Sequence, residues 1–239
     1  MNFLVEGEKT EVNIYSKWLK YLFPQLNFVT KPEDMTINCC RIVAGYGMPN
    51  RVCRSRANNA FSRLEACLND IKTYGHIDHF FICVDSEEFG YQERFNEIET
   101  QLNIAKSQVG IDSSINTEFH IIIQHCCIET WALGNARLPN ESTRLHNSSK
   151  LADFQAFYNV LIDDPELMLC CPPNHSFSRK ARFHSKYLAE LLKEYGLSYK
   201  KNDPKYVGEK KYLEALKERC MNTGHLASLK VFLDILESL

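Results

Sequence analysis

Two short apolar runs in this chain end in carboxylates. Asn2-Phe3-Leu4-Val5 runs into Glu6, and Phe80-Phe81-Ile82-Cys83-Val84 runs into Asp85-Ser86-Glu87-Glu88. If both runs are buried strands of an open parallel sheet, their carboxyl ends open on the crevice where ligands bind in such folds. A hard divalent cation such as Mg²⁺ needs only one or two carboxylates together with substrate oxygens and waters. The chemistry expected from these residues is therefore metal-assisted attack on a phosphodiester. Acidic residues in the first turn of a helix also stabilise its dipole, so Glu8, Glu11 and Glu129 have a structural reading as well.

The elements that would position these groups alternate. Residues 2–5 read as a strand, and residues 8–23 read as a helix with Val12, Tyr15, Leu19 and Leu22 on one side. Strand signals recur at 37–43, 79–84 and 119–124. Helical signals recur at 56–74, 91–107 and 128–135, and Pro and Gly punctuate the breaks. Strand-helix units with crossovers of this length predict parallel strands, right-handed connections and an α/β fold. From about residue 140 the pattern is mainly helical, with segments at 154–162, 178–195, 208–220 and 225–236. This divides the chain into residues 1–139 and a helical extension, residues 140–239.

With 239 residues and 44% apolar content the chain can bury a substantial core. Its longest apolar stretches fall short of the roughly 18 residues of a membrane span, and the expected location is the cytoplasm. The ten cysteines include the adjacent pairs Cys39-Cys40, Cys126-Cys127 and Cys170-Cys171, which lack the C-x-x-C spacing of zinc knuckles and read as reduced, buried residues. Cys170-Cys171 with His175 and His184 is the one grouping that invites a zinc test. His76 and His79 lie at the start of the third strand, at the far end from the expected site, and read as structural. Charge is uneven: residues 173–219 hold 12 Lys/Arg against 6 Asp/Glu, while the rest holds 16 against 24. A basic segment beside an acidic one suits a nuclease that grips a phosphate backbone. Arg51, Arg54 and Arg56, beside the Gly45–Asn50 loop, and Arg179, Lys180 and Arg182 are the expected nucleic-acid contacts. No Walker-type G-x-x-x-x-G-K-[S/T] sequence occurs.

The stretch Phe3-Leu4-Val5-Glu6-Gly7-Glu8-Lys9-Thr10-Glu11, the strand-Asp85-Ser86-Glu87 motif and Cys127-Ile128-Glu129-Thr130-Trp131-Ala132-Leu133 together resemble the Toprim proteins. The likeness is to the small bacterial RloB-type branch, over roughly residues 1–135. The resemblance implies a Rossmann-like, mostly parallel sheet and a site for Mg²⁺ (or Mn²⁺). It makes Glu6 the acid/base or metal-binding glutamate and puts Asp85 and Glu87 at the Asp-x-Asp positions, Glu87 being one methylene longer than the usual residue. Glu11 and Glu129 are candidates for a second cation and Lys9 for stabilising developing charge. It further implies a nuclease acting on DNA or RNA in anti-phage defence beside a separate ATPase, and a homo-oligomer is compatible with it. The alternatives are a non-catalytic Toprim-fold docking or signalling partner of an ATPase, and an unrelated nucleotide phosphohydrolase.

Overall fold

The computed structural model describes residues 1–45 and 62–239. The fold is α/β and Rossmann-like, with a five-stranded, all-parallel sheet and nine helices among the described residues. In chain order these are β1 (Asn2–Val5), α1 (Thr10–Leu22), β2 (Asn27–Phe28), β3 (Cys39–Ala44), α2 (Arg63–Tyr74), β4 (His79–Asp85), α3 (Tyr91–Val109) and β5 (Glu118–Gln124). They are followed by α4 (Ile128–Ala132), α5 (Leu138–Glu141), α6 (Ser149–Phe157), α7 (Lys180–Glu194), α8 (Lys210–Thr223) and α9 (Ala227–Glu237). The strand order is β2-β3-β1-β4-β5. No described helix is long and apolar enough to cross a membrane.

Close contacts divide the chain into two units. Met1–Val84 groups with Gln92–Ile123, and Asp85–Tyr91 groups with Gln124–Leu239. The boundary expected at residue 139 falls inside the second of these.

In the first unit β1 lies between two parallel neighbours, with Phe3 opposite Ile42 on β3 and Phe81 on β4. Burial on both sides explains why β1 is apolar throughout and does not alternate. Phe3 stacks on Phe81 at a centroid distance of 4.3 Å. Helix α1 buries Ile14, Tyr15, Trp18 and Leu19. Tyr15 and Leu19 of the expected stripe face inward, while Val12 and Leu22 are only half-buried and Ile14 and Trp18 complete the buried face instead. Ile37, expected to open a strand, is 89% exposed. Asn38 stands in the left-handed region at φ +59° and the Cys39 N–H turns back to Thr36 O, so extension begins only at Cys39. The two-residue β2 pairs with β3 and is too short and too exposed to leave a periodic signal.

Helix α2 starts on a capping box: the Ser62 hydroxyl accepts from Glu65 N–H and the Glu65 carboxylate accepts from Ser62 N–H. It ends on Gly75 at φ +66°, a left-handed cap that glycine adopts without Cβ strain. Ser62→Ala is expected to destabilise the protein by about 1 kcal/mol, read as a lower urea midpoint with an unchanged m-value.

The second unit is built around α4. Thr130 on α4 bonds His184 on α7, and the Trp131 indole N–H donates to Ser228 on α9 at 2.7 Å. These two bonds attach residues 124–139 to the C-terminal helices. Phe154, Phe183 and Tyr187 form an aromatic cluster with centroids 5.2 to 5.8 Å apart. Arg219 donates to the carbonyls of Gly134, Val160 and Asp163 and to the His225 ring, so that one guanidinium satisfies three chain segments.

Candidate functional site

The sheet has a topological switch point. The chain leaves β1 toward the β3-β2 edge and leaves β4 toward β5, so the crevice of the first unit lies outside the carboxyl ends of these two strands. Glu6 is the first residue past β1, its N–H held by Cys83 O at 3.1 Å, and its side chain is half-buried. Glu8 and Lys9 are exposed and Glu11 is buried. A Cβ on residue 7 would collide with the Glu11 carboxylate, so Gly7 is what lets that carboxylate fold over the strand-helix turn. The Glu6-to-Glu11 motif thereby places one half-buried and one buried carboxylate around a single turn.

The second unit holds the other acidic motif. Asp85, the last residue of β4, is half-buried, and the buried Ser86 hydroxyl lies 2.9 Å from His125 Nδ1. Glu87 sits in the left-handed region at φ +50°, held there by its N–H on Cys126 O and by the Cys126 thiol on its carbonyl. Its carboxylate is 3.5 Å from Arg179. Glu88 accepts the Lys180 backbone N–H at 2.6 Å. Glu87 and Glu88 thus face the start of α7, where an exposed amide and the helix dipole favour anions. Of the basic triplet expected to meet nucleic acid, Arg179 and Lys180 meet these two glutamates.

Glu129, in the first turn of α4, is 2% exposed. One of its oxygens, Oε1, accepts from Tyr199 Oη at 2.9 Å and from Lys201 Nζ at 3.0 Å. Burial alone would lower the Lys201 pKa, yet it is raised by the charge and hydrogen bond of Glu129 and by the fields of Cys127 and Asp85. Two acidic side chains of the second unit, Glu129 and Asp85, therefore act on one ammonium group. Carboxylate oxygens are the donors that a hard ion such as Mg²⁺ or Mn²⁺ prefers, and in this structure Lys201 Nζ sits against the Glu129 carboxylate.

Lys201 and Tyr199 also line a cavity of about 600 Å³ with Lys150, Arg182, Lys186 and Ser178. Four cations, hydroxyls and aromatic rings around one space are groups that bind phosphates and stack on bases. Arg182 is the member of the basic triplet that reaches it. Lys150, Lys186, Tyr199 and Lys201 were not legible as site residues. The only sequence signal was the positive balance of residues 173–219, which contains three of them.

Arg51, Arg54 and Arg56 lie outside the described residues. Trp131 is fully buried in the core. Among the described residues, two groups bring three metal-ligating atoms together, Cys126–Cys127–His184 and His79–Glu118–His120, and neither contains Cys170, Cys171 or His175. In the first group His184 is already satisfied. Its Nε2–H donates to Met168 O at 3.1 Å and its Nδ1 accepts the Thr130 hydroxyl at 2.7 Å. Burial raises the Cys127 thiol well above its ordinary pKa, and a protonated thiol is a poor ligand. That group is a hydrogen-bonded core.

No protein-family model, curated protein or solved structure matches this chain.

Proposed function

We propose that this protein is a metal-dependent nuclease that hydrolyses phosphodiester bonds, with Asp85 and Glu129 holding the cation and the basic cavity holding the phosphate backbone. The observation that carries the reading is the double role of Tyr199 and Lys201, which line the cavity and also bond the buried carboxylate of Glu129. The place where a phosphate would be gripped and the place where a cation would be held thus share two residues. The resemblance of the acidic motifs to Toprim sequences points the same way.

A Mg²⁺ or Mn²⁺ ion held by Asp85 and Glu129 would supply Lewis-acid polarisation of the phosphoryl group and activation of water. The protein's own groups do the rest. Tyr199 fixes the Glu129 carboxylate, Lys201 and Arg182 neutralise phosphate charge, and the burial of Glu129 strengthens each of these electrostatic contacts. Glu87 and Glu88 set the position of α7, which carries Arg182 and Lys186 into the cavity wall. A separate ATPase partner and a cytoplasmic, anti-phage role belong to the same reading and rest on the resemblance.

The test incubates purified full chain with plasmid, single-stranded DNA and tRNA in Mg²⁺ or Mn²⁺, beside Asp85→Asn, Glu129→Gln and Glu6→Gln. Cleavage by the wild type that is lost in the first two variants supports the reading. Equal cleavage by wild type and both variants overturns it. Glu6→Gln reports separately whether the carboxylates at the sheet's switch point contribute.

A further inference from the structure

We infer that His79, Glu118 and His120 form a second metal site, for a zinc-class divalent ion, at the opposite ends of the strands from the sheet's switch point. The placement follows from strand geometry. Glu118 and His120 are two residues apart on β5 and so point to the same face. His79 is the first residue of the neighbouring β4. The Glu118 N–H donates to Asp78 O at 2.7 Å and the Thr117 hydroxyl donates to Ile77 O at 2.6 Å, which pins the start of β5 beside the start of β4. The Phe81 ring lies against His120 at a centroid distance of 4.5 Å and fixes the plane of the imidazole.

The donor atoms form a compact triangle. His79 Nδ1 is 3.3 Å from His120 Nε2, Glu118 Oε2 is 3.6 Å from the first, and it is 3.9 Å from the second. Two ligands on a tetrahedral ion with bonds of ~2.0–2.1 Å are ~3.3 Å apart, so the three atoms need only small rotations to share one ion. Two imidazoles and one carboxylate suit zinc, cobalt and nickel, whereas Mg²⁺ prefers oxygen alone. The imidazoles are about one-sixth to one-quarter exposed and Glu118 is 72% exposed. Solvent therefore reaches the site, and a water can complete the coordination. The plain alternative is a neutral imidazole pair sharing one proton, with Glu118 beside it.

The two readings separate in a titration of the metal-free, reduced full chain with Co²⁺ and Zn²⁺. Wild type is expected to bind one Co²⁺ with d–d absorption and without thiolate charge transfer, and Zn²⁺ is expected to raise its melting temperature. Glu118→Gln, at an exposed position that leaves the fold intact, is expected to weaken binding at least ~10-fold. His79→Asn with His120→Asn is expected to abolish it. Binding that is equal in wild type and in all these variants overturns the inference, as does a thiolate charge-transfer spectrum or the absence of one-to-one binding. The donors and the ion differ from those of the proposed nuclease site, so failure here leaves that reading standing.

Discussion

Glu129→Gln and Asp85→Asn are each expected to slow phosphodiester cleavage at least ~10²-fold, a loss of ~3 kcal/mol of transition-state stabilisation. The substitutions are nearly isosteric, so the effect isolates charge. The amide of Glu129→Gln retains an oxygen that can accept from Tyr199 and Lys201, and α4 keeps its packing, but the negative charge that helps raise the Lys201 pKa is gone. Folding should be unchanged by circular dichroism, while the Mn²⁺ affinity measured by calorimetry falls with the rate. Arg182→Ala should behave differently. As a cavity-wall cation it contributes to binding, so its loss should raise KM more than it lowers kcat and reduce the slope of log affinity against log salt by about one. If Arg182→Ala left the salt slope untouched, the basic cavity would not be the phosphate surface. If Glu129→Gln left the rate untouched, Glu129 would be a structural anchor for Tyr199 and Lys201 only.

The α/β class was legible because it depends on local pattern. The apolar runs at β1 and β4 and the punctuation after α1 and α2 are contiguous in sequence, and their order alone implies parallel strands. What stayed hidden depends on pairs distant in the chain. Glu129 meets Lys201 across 72 positions, and His79 meets His120 across 41. No spacing rule reaches that far. The Glu6-Gly7-Glu8-Lys9 motif suggested a site, but only coordinates explain the glycine, through the Glu11 carboxylate that lies where a Cβ would be. The acidic run after β4 was legible as a cluster, whereas its division of labour was not. Glu87 and Glu88 turn to the start of α7 because residue 87 takes a left-handed backbone, and nothing in a run of three acidic residues announces that.

Two buried titratable groups in the second unit should give the protein opposing pH dependences that cancel in the wild type and emerge in single variants. Burial raises the Glu166 pKa to about 7 from an ordinary 4.5, although Ser228 donates to it through both N–H and hydroxyl. A carboxyl whose folded pKa is raised stabilises the fold fully below about 4.5 and loses that contribution as pH rises through about 7. Burial lowers the His184 pKa to about 4 from 6.5, although the Met168 carbonyl that accepts from its Nε2–H and the charge of Glu129 pull the other way. A group whose folded pKa is depressed contributes above about 6.5 and loses that contribution as pH falls through about 4. Each shift corresponds to ~3 kcal/mol across its window. Where the windows overlap the slopes are equal and opposite, so these two groups together should leave wild-type stability nearly flat. Glu166→Gln removes the alkaline loss and leaves the histidine, so its stability should fall by ~3 kcal/mol on acidification. His184→Gln removes the acid loss and should instead fall by a similar amount as pH rises toward neutrality. Urea unfolding of the three proteins at four pH values between about 4 and 7.5 measures the slopes directly. Parallel curves for wild type and both variants would mean that neither group keeps its shifted state in the folded core, and that the Thr130–His184 and Glu166–Ser228 bonds do not hold the second unit in the way described.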